Sequence, residues 1–134
     1  MILRLPWISF FQRLDDEYFE KTILTPQPEK EQKIICRACQ NFITSSRYKI
    51  EIQGRYRHIL TNPNGFTFEI GCFSFVSGCV HTGMPTLEYT WFNGYSWQIT
   101  LCDHCLTHLG WFYQAQNMNP FSALILKNLI QHSQ

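Results

Sequence analysis

From about Lys33 to Tyr113 the chain runs in short segments rich in β-branched and aromatic residues, punctuated by Gly and Asn: KIIC, YKIEI, RHIL, then the turn-forming Asn62-Pro63-Asn64-Gly65, then FTFEIGCFSF. Short segments of this composition predict a mostly antiparallel β domain, with Gly65 free to take positive φ in the turn. In the longest segment Phe66, Phe68, Ile70 and Cys72 alternate with Thr67, Glu69 and Gly71, after which Phe73 and Phe75 take the opposite parity. The switch predicts a bulge or bend near Gly71. Two stretches change to helical spacing. Ile8, Phe11, Leu14 and Tyr18 predict a short amphipathic helix from about Ser9 to Lys21, ended by the charged, Pro-broken TPQPEKEQK. After the polar QAQNMNP, FSALILKNLI predicts a C-terminal helix packed on the sheets. The organisation expected is an N-terminal arm and linker over 1–33 and one β domain over 34–134, with no internal repeat.

Composition narrows the function classes. Of 134 residues 16% are charged, against about 25% in average soluble chains, and 16% are aromatic, including 4 Trp, 6 Tyr and 11 Phe. Such a chain is not disordered over most of its length, and it has room for one domain with a proper core. A net charge of +1 with scattered Lys and Arg excludes a phosphate-neutralising field, so no nucleic-acid partner is expected. No apolar run approaches the roughly 20 residues of a membrane span. The opening MILRLPWISFF is broken by Pro6 and runs into charges without a small-residue cleavage site. A cytoplasmic chain with no membrane partner is expected, and thiols in a reducing compartment are more often metal ligands or buried core than disulfides.

Cys36-Arg37-Ala38-Cys39 and Cys102-Asp103-His104-Cys105 are two C-x-x-C pairs separated by a long insertion. Each pair can form a knuckle offering two thiolates, and two knuckles close a tetrahedral zinc shell with no open position for a catalytic water. Redox dithiols or coincidental pairs are the alternatives. Arg37 and His104, inside the knuckles, stand where they can offset the −2 formal charge of a zinc tetrathiolate. Cys72 and Cys79 read as small buried thiols, a second site through Cys79 and His81 being the sharper alternative. No Ser/His/Asp triad, phosphate loop or carboxylate pair stands out.

Trp91 and Trp97 flank Phe92-Asn93-Gly94-Tyr95-Ser96, and Trp111 with Tyr113 follows the second cysteine pair. Such residues can be core or the wall of a ligand cage. Asn93-Gly94 places the first two tryptophans on either side of a tight turn, and Trp111 and Tyr113 share a strand face. Full burial of several tryptophans is uncommon, so a rimmed box open to solvent fits better than an oily centre.

These motifs carry a resemblance. The run YTWFNGYSW at 89–97, followed by Cys102-x-x-Cys105 and Gly110-Trp111-x-Tyr113, and preceded by Cys36-x-x-Cys39 and Asn62-Pro63-x-Gly65, closely resembles the CULT domain, the thalidomide-binding domain of cereblon-type proteins. It looks most like the single-domain bacterial members and covers about residues 34–130. The resemblance implies a β-tent, two antiparallel sheets pinned by one structural Zn²⁺, with Cys36, Cys39, Cys102 and Cys105 as its ligands. It also implies a cage of Trp91, Trp97 and Trp111, floored by Tyr113, that receives a glutarimide, succinimide or related ring. The backbone of Tyr89 and Trp91 is then expected to bond the imide edge, with Asn62 and Pro63 at the rim. The chemistry is coherent: a neutral ring with weakly positive methylenes suits π faces, while its HN–C=O edge needs one fixed donor and one fixed acceptor.

The chain departs from the family in places. Tyr89 stands where the human-type domain has histidine, and residues 1–33 have no match. The ligase receptors of the family carry a Lon-like domain and an adaptor-binding region absent from this sequence, so no ubiquitin-ligase adaptor is expected. The expected partner is a cyclic imide, a peptide ending in one, or a uracil-like ring, bound without catalysis. Two other classes are weighed. A methionine sulfoxide reductase of the B type shares the paired C-x-x-C zinc site, but its catalytic cysteine lies near the C-terminus, and here no cysteine follows Cys105. A methylammonium reader uses the same aromatics, often with an acid, for which Glu88 is nearest.

Overall fold

The structure is a computed structural model that describes residues 30–133; the helix expected near 9–21 and most of its linker lie outside them. Nine strands run in order: β1 (Gln32–Cys36), β2 (Phe42–Ser45), β3 (Arg57–Thr61), β4 (Thr67–Phe73), β5 (Cys79–Thr86), β6 (Ser96–Cys102), β7 (His108–Ala115), β8 (Met118–Ile125) and β9 (Leu129–Ser133). All pairings are antiparallel. They make a three-stranded sheet, β2-β1-β9, and a six-stranded sheet, β3-β4-β8-β7-β6-β5. The mainly-β, two-sheet fold agrees with the expectation from sequence.

The six-stranded sheet is covered on both faces. One apolar cluster joins Ile34, Ile43 and Leu129 of the small sheet to Phe73, Leu109 and Leu124 of the large one, together with Cys36 and Cys102. A second gathers Ile70, Cys72, Phe121, Ala123 and Ile125 beneath Phe92, Tyr95, Trp111 and Tyr113. Successive residues along a strand point to opposite faces, so β4 supplies Cys72 to one cluster and Phe73 to the other.

That double coverage corrects two expectations. No register shift interrupts β4 against β3 or β8, so the parity switch at Phe73 is not a bulge. It reflects apolar demand on both faces, and Gly71 is small because the Tyr56 ring packs where its side chain would be. The C-terminal helix is also absent: its residues form most of β8, a 3₁₀ turn at Leu126–Asn128, and β9. Phe121 to Ile125 lie on a central strand and are all buried. A central strand buried on both faces loses its alternation and reads like an apolar helix.

A bulge does occur in β7. Thr100 pairs with Gly110 and Leu101 with His108, leaving Leu109 as the extra residue. The insertion sends Leu109 into the cluster between the sheets while Trp111 and Tyr113 enter the other one. No helix among the described residues is long and apolar enough to cross a membrane.

Candidate functional site

The four C-x-x-C cysteines converge at the junction of the two sheets. Cys36 ends β1 and Cys39 lies in the following turn; Cys102 ends β6 and Cys105 lies in the turn to β7. Both turns have one geometry. The amide of Gln40 donates to the Cys36 carbonyl at 2.8 Å, and that of Leu106 to the Cys102 carbonyl at 2.9 Å. Gln40 and Leu106 both take left-handed backbone, at φ 68° and 63°. Each first cysteine also donates its own amide across the turn, Cys36 to Asn41 and Cys102 to Thr107.

Folded twice over, this turn brings Cys36 Sγ within 3.6 Å of Cys105 Sγ and Cys39 Sγ within 3.5 Å of Cys102 Sγ. All four sulfurs lie within 4.8 Å of one another. A tetrahedron with metal–sulfur bonds of about 2.3 Å has edges of about 3.8 Å. The residues present therefore fit a single metal ion of that size, one pair of ligands coming from each sheet.

Polar neighbours surround the sulfurs. The amide of His104 donates to Cys102 Sγ at 3.4 Å, and Thr107 Oγ1 lies 3.0 Å from Cys105 Sγ. The Thr107 hydroxyl, aided by its backbone amide, holds the Cys105 thiol down to about 6. Arg37 does not face the sulfurs. Its guanidinium donates to the carbonyls of Lys127, at 2.8 Å, and Leu129, at 3.1 Å, tying the first knuckle to the start of β9. Cys72 is fully buried and Cys79 half-buried, and burial pushes both thiols up to about 12. His81 stacks on Phe112 at 4.3 Å and bonds Thr100 Oγ1 at 2.9 Å. No metal cluster joins Cys79 to His81 among the described residues.

All seven residues singled out in the aromatic motifs, Asn62, Pro63, Tyr89, Trp91, Trp97, Trp111 and Tyr113, line one cavity of about 350 Å³. Local devices hold several of them. Asn62 Oδ1 accepts the amides of Asn64 and Phe66, at 3.0 and 2.9 Å, and closes the β3–β4 turn with Gly65 at φ +90°. The Tyr95 amide donates to the Phe92 carbonyl at 2.9 Å, with Gly94 at φ +90°, the geometry of a type II turn. Phe92 and Tyr95 bury themselves in the core beneath that turn, Phe92 edge-on to Tyr113 at 4.9 Å. Trp91 is left half-buried on the other side. The Thr90 hydroxyl donates to the Tyr95 carbonyl at 2.8 Å and braces the loop.

Two of the three indole edges are already bonded. Trp91 Nε1 donates to the Thr61 carbonyl at 3.0 Å, and Trp97 Nε1 to the Glu88 carbonyl at 2.8 Å. Trp91 meets Trp111 edge-to-face at 4.8 Å and 76°. Trp97 and Tyr113 are register partners across β6 and β7. The backbone amides and carbonyls of Tyr89 and Trp91 have no partner in the protein among the described residues.

Three lining residues were not anticipated: Phe68, Ile99 and His108. Phe68 sits edge-on to Trp111 at 5.2 Å. His108 meets the same indole at 4.8 Å and 83°, and its Nε2 bonds the Gly110 carbonyl at 3.0 Å, which places the ring proton on that nitrogen. Burial lowers its pKa, so the ring is neutral at pH 7. No Asp or Glu is among the lining residues.

Comparison with known proteins gives a consistent picture. No protein-family model matches the chain. The chain is 29% identical to Drosophila melanogaster cereblon over 83 residues, which are 60% of this chain and 13% of that protein. It is 30% identical to Danio rerio cereblon over 84 residues, 61% of this chain and 20% of that one. A shorter stretch of 39 residues is 46% identical to Drosophila willistoni cereblon. The matched part thus spans a fifth or less of these relatives, and over that part the chain is similar to cereblon.

Proposed function

We propose that the protein is a non-enzymatic binding module whose aromatic cavity takes a neutral, flat cyclic imide, and that its four cysteines hold one structural Zn²⁺. The observation that carries the reading is the lining itself: three tryptophans and two tyrosines line one cavity into which no carboxylate projects. A methylammonium ligand gains from an anionic partner, whereas a neutral ring needs only π faces and a matched donor and acceptor. The backbone groups of Tyr89 and Trp91, unpartnered among the described residues, supply such a pair. Trp111, only 8% exposed, adds an indole N–H with no protein partner among the described residues.

Enzymatic thiol chemistry has little support. Cys72 and Cys79, the cysteines left over from the cluster, are both pushed up to about 12 by burial and carry almost no thiolate near neutral pH. The imide itself can be free or can end a damaged peptide; both present the same ring.

The test is a fluorescence titration of the zinc-loaded protein with glutarimide. Saturable quenching is expected, and in Trp97→Ala it should disappear while thermal unfolding stays cooperative. Absence of any saturable change at millimolar glutarimide would refute the proposal, as would undiminished binding by the variant. Tetramethylammonium competing better than glutarimide would reassign the cavity to cations.

A further inference from the structure

A second cavity, of about 500 Å³, shares no lining residue with the tryptophan cavity. It lies where the two sheets meet. Its floor is formed by Ile34 of β1, Phe73 of β4 and Leu129 of β9, each at most 6% exposed, and its accessible apolar surface by the half-buried Leu126 and the Tyr56 ring. Both charged residues in its lining are cations, Lys49 and Arg57. They are not equivalent. Arg57 is paired with Glu69 on the neighbouring strand, whereas Lys49 has no carboxylate partner among the described residues. The Lys49 ammonium lies 5.0 Å from the centroid of the Tyr56 ring, which also lines the cavity.

Tyr56 is the second unusual group. Its ring packs over Gly71 and edge-on to Phe73 at 5.6 Å, but its hydroxyl makes no hydrogen bond to protein among the described residues. The ring is half-buried, so the hydroxyl is left open to a partner from outside the fold. Desolvation pushes this phenol up to about 12, so it remains a hydrogen-bond donor at neutral pH.

We infer that this cavity is a second binding site, for an amphiphilic monocarboxylate whose apolar body lies against the half-buried Leu126 and Tyr56 ring, over the floor of Ile34, Phe73 and Leu129, and whose carboxylate meets the Lys49 ammonium and the Tyr56 hydroxyl. One uncommitted cation and one neutral donor match a single negative charge. A phosphate dianion would be left undercompensated, because the Arg57 charge is already balanced by Glu69. Hydrogen bonds to an ionised acceptor are roughly twice as strong as neutral ones, so the head group should dominate selectivity.

Octanoate is the probe, with 1-octanol as its uncharged control, added to the full zinc-loaded chain and followed by amide shifts in two-dimensional NMR. Saturable shifts centred on Lys49, Tyr56, Phe73 and Leu129 are expected, with octanol weaker by about tenfold. Lys49 is exposed, so Lys49→Glu should fold. It should lose octanoate binding by about tenfold or more, and Tyr56→Phe should lose a smaller part. Both variants should still respond to glutarimide, which reports an intact fold independently. The inference is overturned if octanoate gives no saturable shifts up to about 10 mM, if octanol binds as well, or if Lys49→Glu, folded by the glutarimide criterion, binds octanoate as before.

Discussion

Tyr89 is the residue at which side chain and backbone can be separated most cleanly. It stands at φ +56° and is 73% exposed, yet its backbone amide and carbonyl have no partner among the described residues. A bulky residue in left-handed backbone costs about 1–3 kcal/mol, and such positions cluster at ligand clamps. If the backbone makes the contact, Tyr89→Gly should bind glutarimide within a few-fold of the parent. Glycine removes the left-handed cost and adds about 0.5–1 kcal/mol of chain entropy, so the unfolding temperature should hold or rise. A loss of binding comparable to that of Trp97→Ala would move recognition onto the tyrosine ring. At this scale the sequence was informative where a motif is local: YTWFNGYSW, Asn62-Pro63-x-Gly65 and Gly110-Trp111-x-Tyr113 named seven lining residues. It was silent on His108, since a residue three before Trp111 on a regular strand faces the other way. Only the extra Leu109 brings the two rings together. Phe68 and Ile99 were hidden for a simpler reason: an apolar residue on a β-strand looks the same whether it meets core or ligand.

Among the elements, β7 does most to position the cavity, because its bulge decides which side chains reach it. Gly110 follows the bulge, and a Cβ there would fall on the carbonyl of Ala123 in β8, backbone that cannot rotate aside. Overpacking of a tight core costs about 1–3 kcal/mol, and a backbone obstacle should place Gly110→Ala at the upper end. In a domain of this size each kcal/mol lowers the midpoint by about 4–8 °C, so thermal unfolding should show a drop of roughly 10–20 °C. Glutarimide affinity should fall as well, because Trp111 is the next residue. A midpoint unchanged from the parent would mean that β7 and β8 are not as close as described here. The same crowding explains why FSALILKNLI reads as helix. β8 is flanked by β4 and β7 and covered on both faces, so it has no polar side to reveal its period. The 3₁₀ turn at Leu126–Asn128 then passes the chain to the other sheet, where β9 pairs with β1. Alternation survived only in strands with one exposed face, and there the reading from sequence succeeded.

For the molecule as a whole, the cysteine cluster and the aromatic cavity are connected in a way that spacing alone does not reveal. From spacing alone, a metal shared by the two C-x-x-C pairs would be expected to draw Trp111, just after the second pair, toward Trp91 and Trp97. In the structure Phe68, Trp97, Trp111 and Tyr113 all belong to the six-stranded sheet, joined by strand pairing and ring contacts. The cysteines do something else: Cys36 and Cys39 come from the small sheet and Cys102 and Cys105 from the large one, so a shared ion would fasten one sheet to the other. Magnitude decides what its removal should do. Structural zinc contributes about 10–16 kcal/mol of apparent binding free energy at pH 7, whereas whole domains are stable by about 5–15 kcal/mol. Chelation should therefore unfold the domain, with glutarimide quenching and the circular-dichroism signal of the sheets disappearing together. Acid should act the same way, since protons compete for the thiolates. Thr107→Val removes the hydroxyl that holds Cys105 down to about 6, so its thiol rises and metal should be released at a higher pH than in the parent. Zinc release followed with a chromogenic chelator across pH 4–8 measures that midpoint. An unchanged midpoint would show that Thr107 does not tune the site. Retained glutarimide binding in metal-free protein would show that the six-stranded sheet stands without its pin.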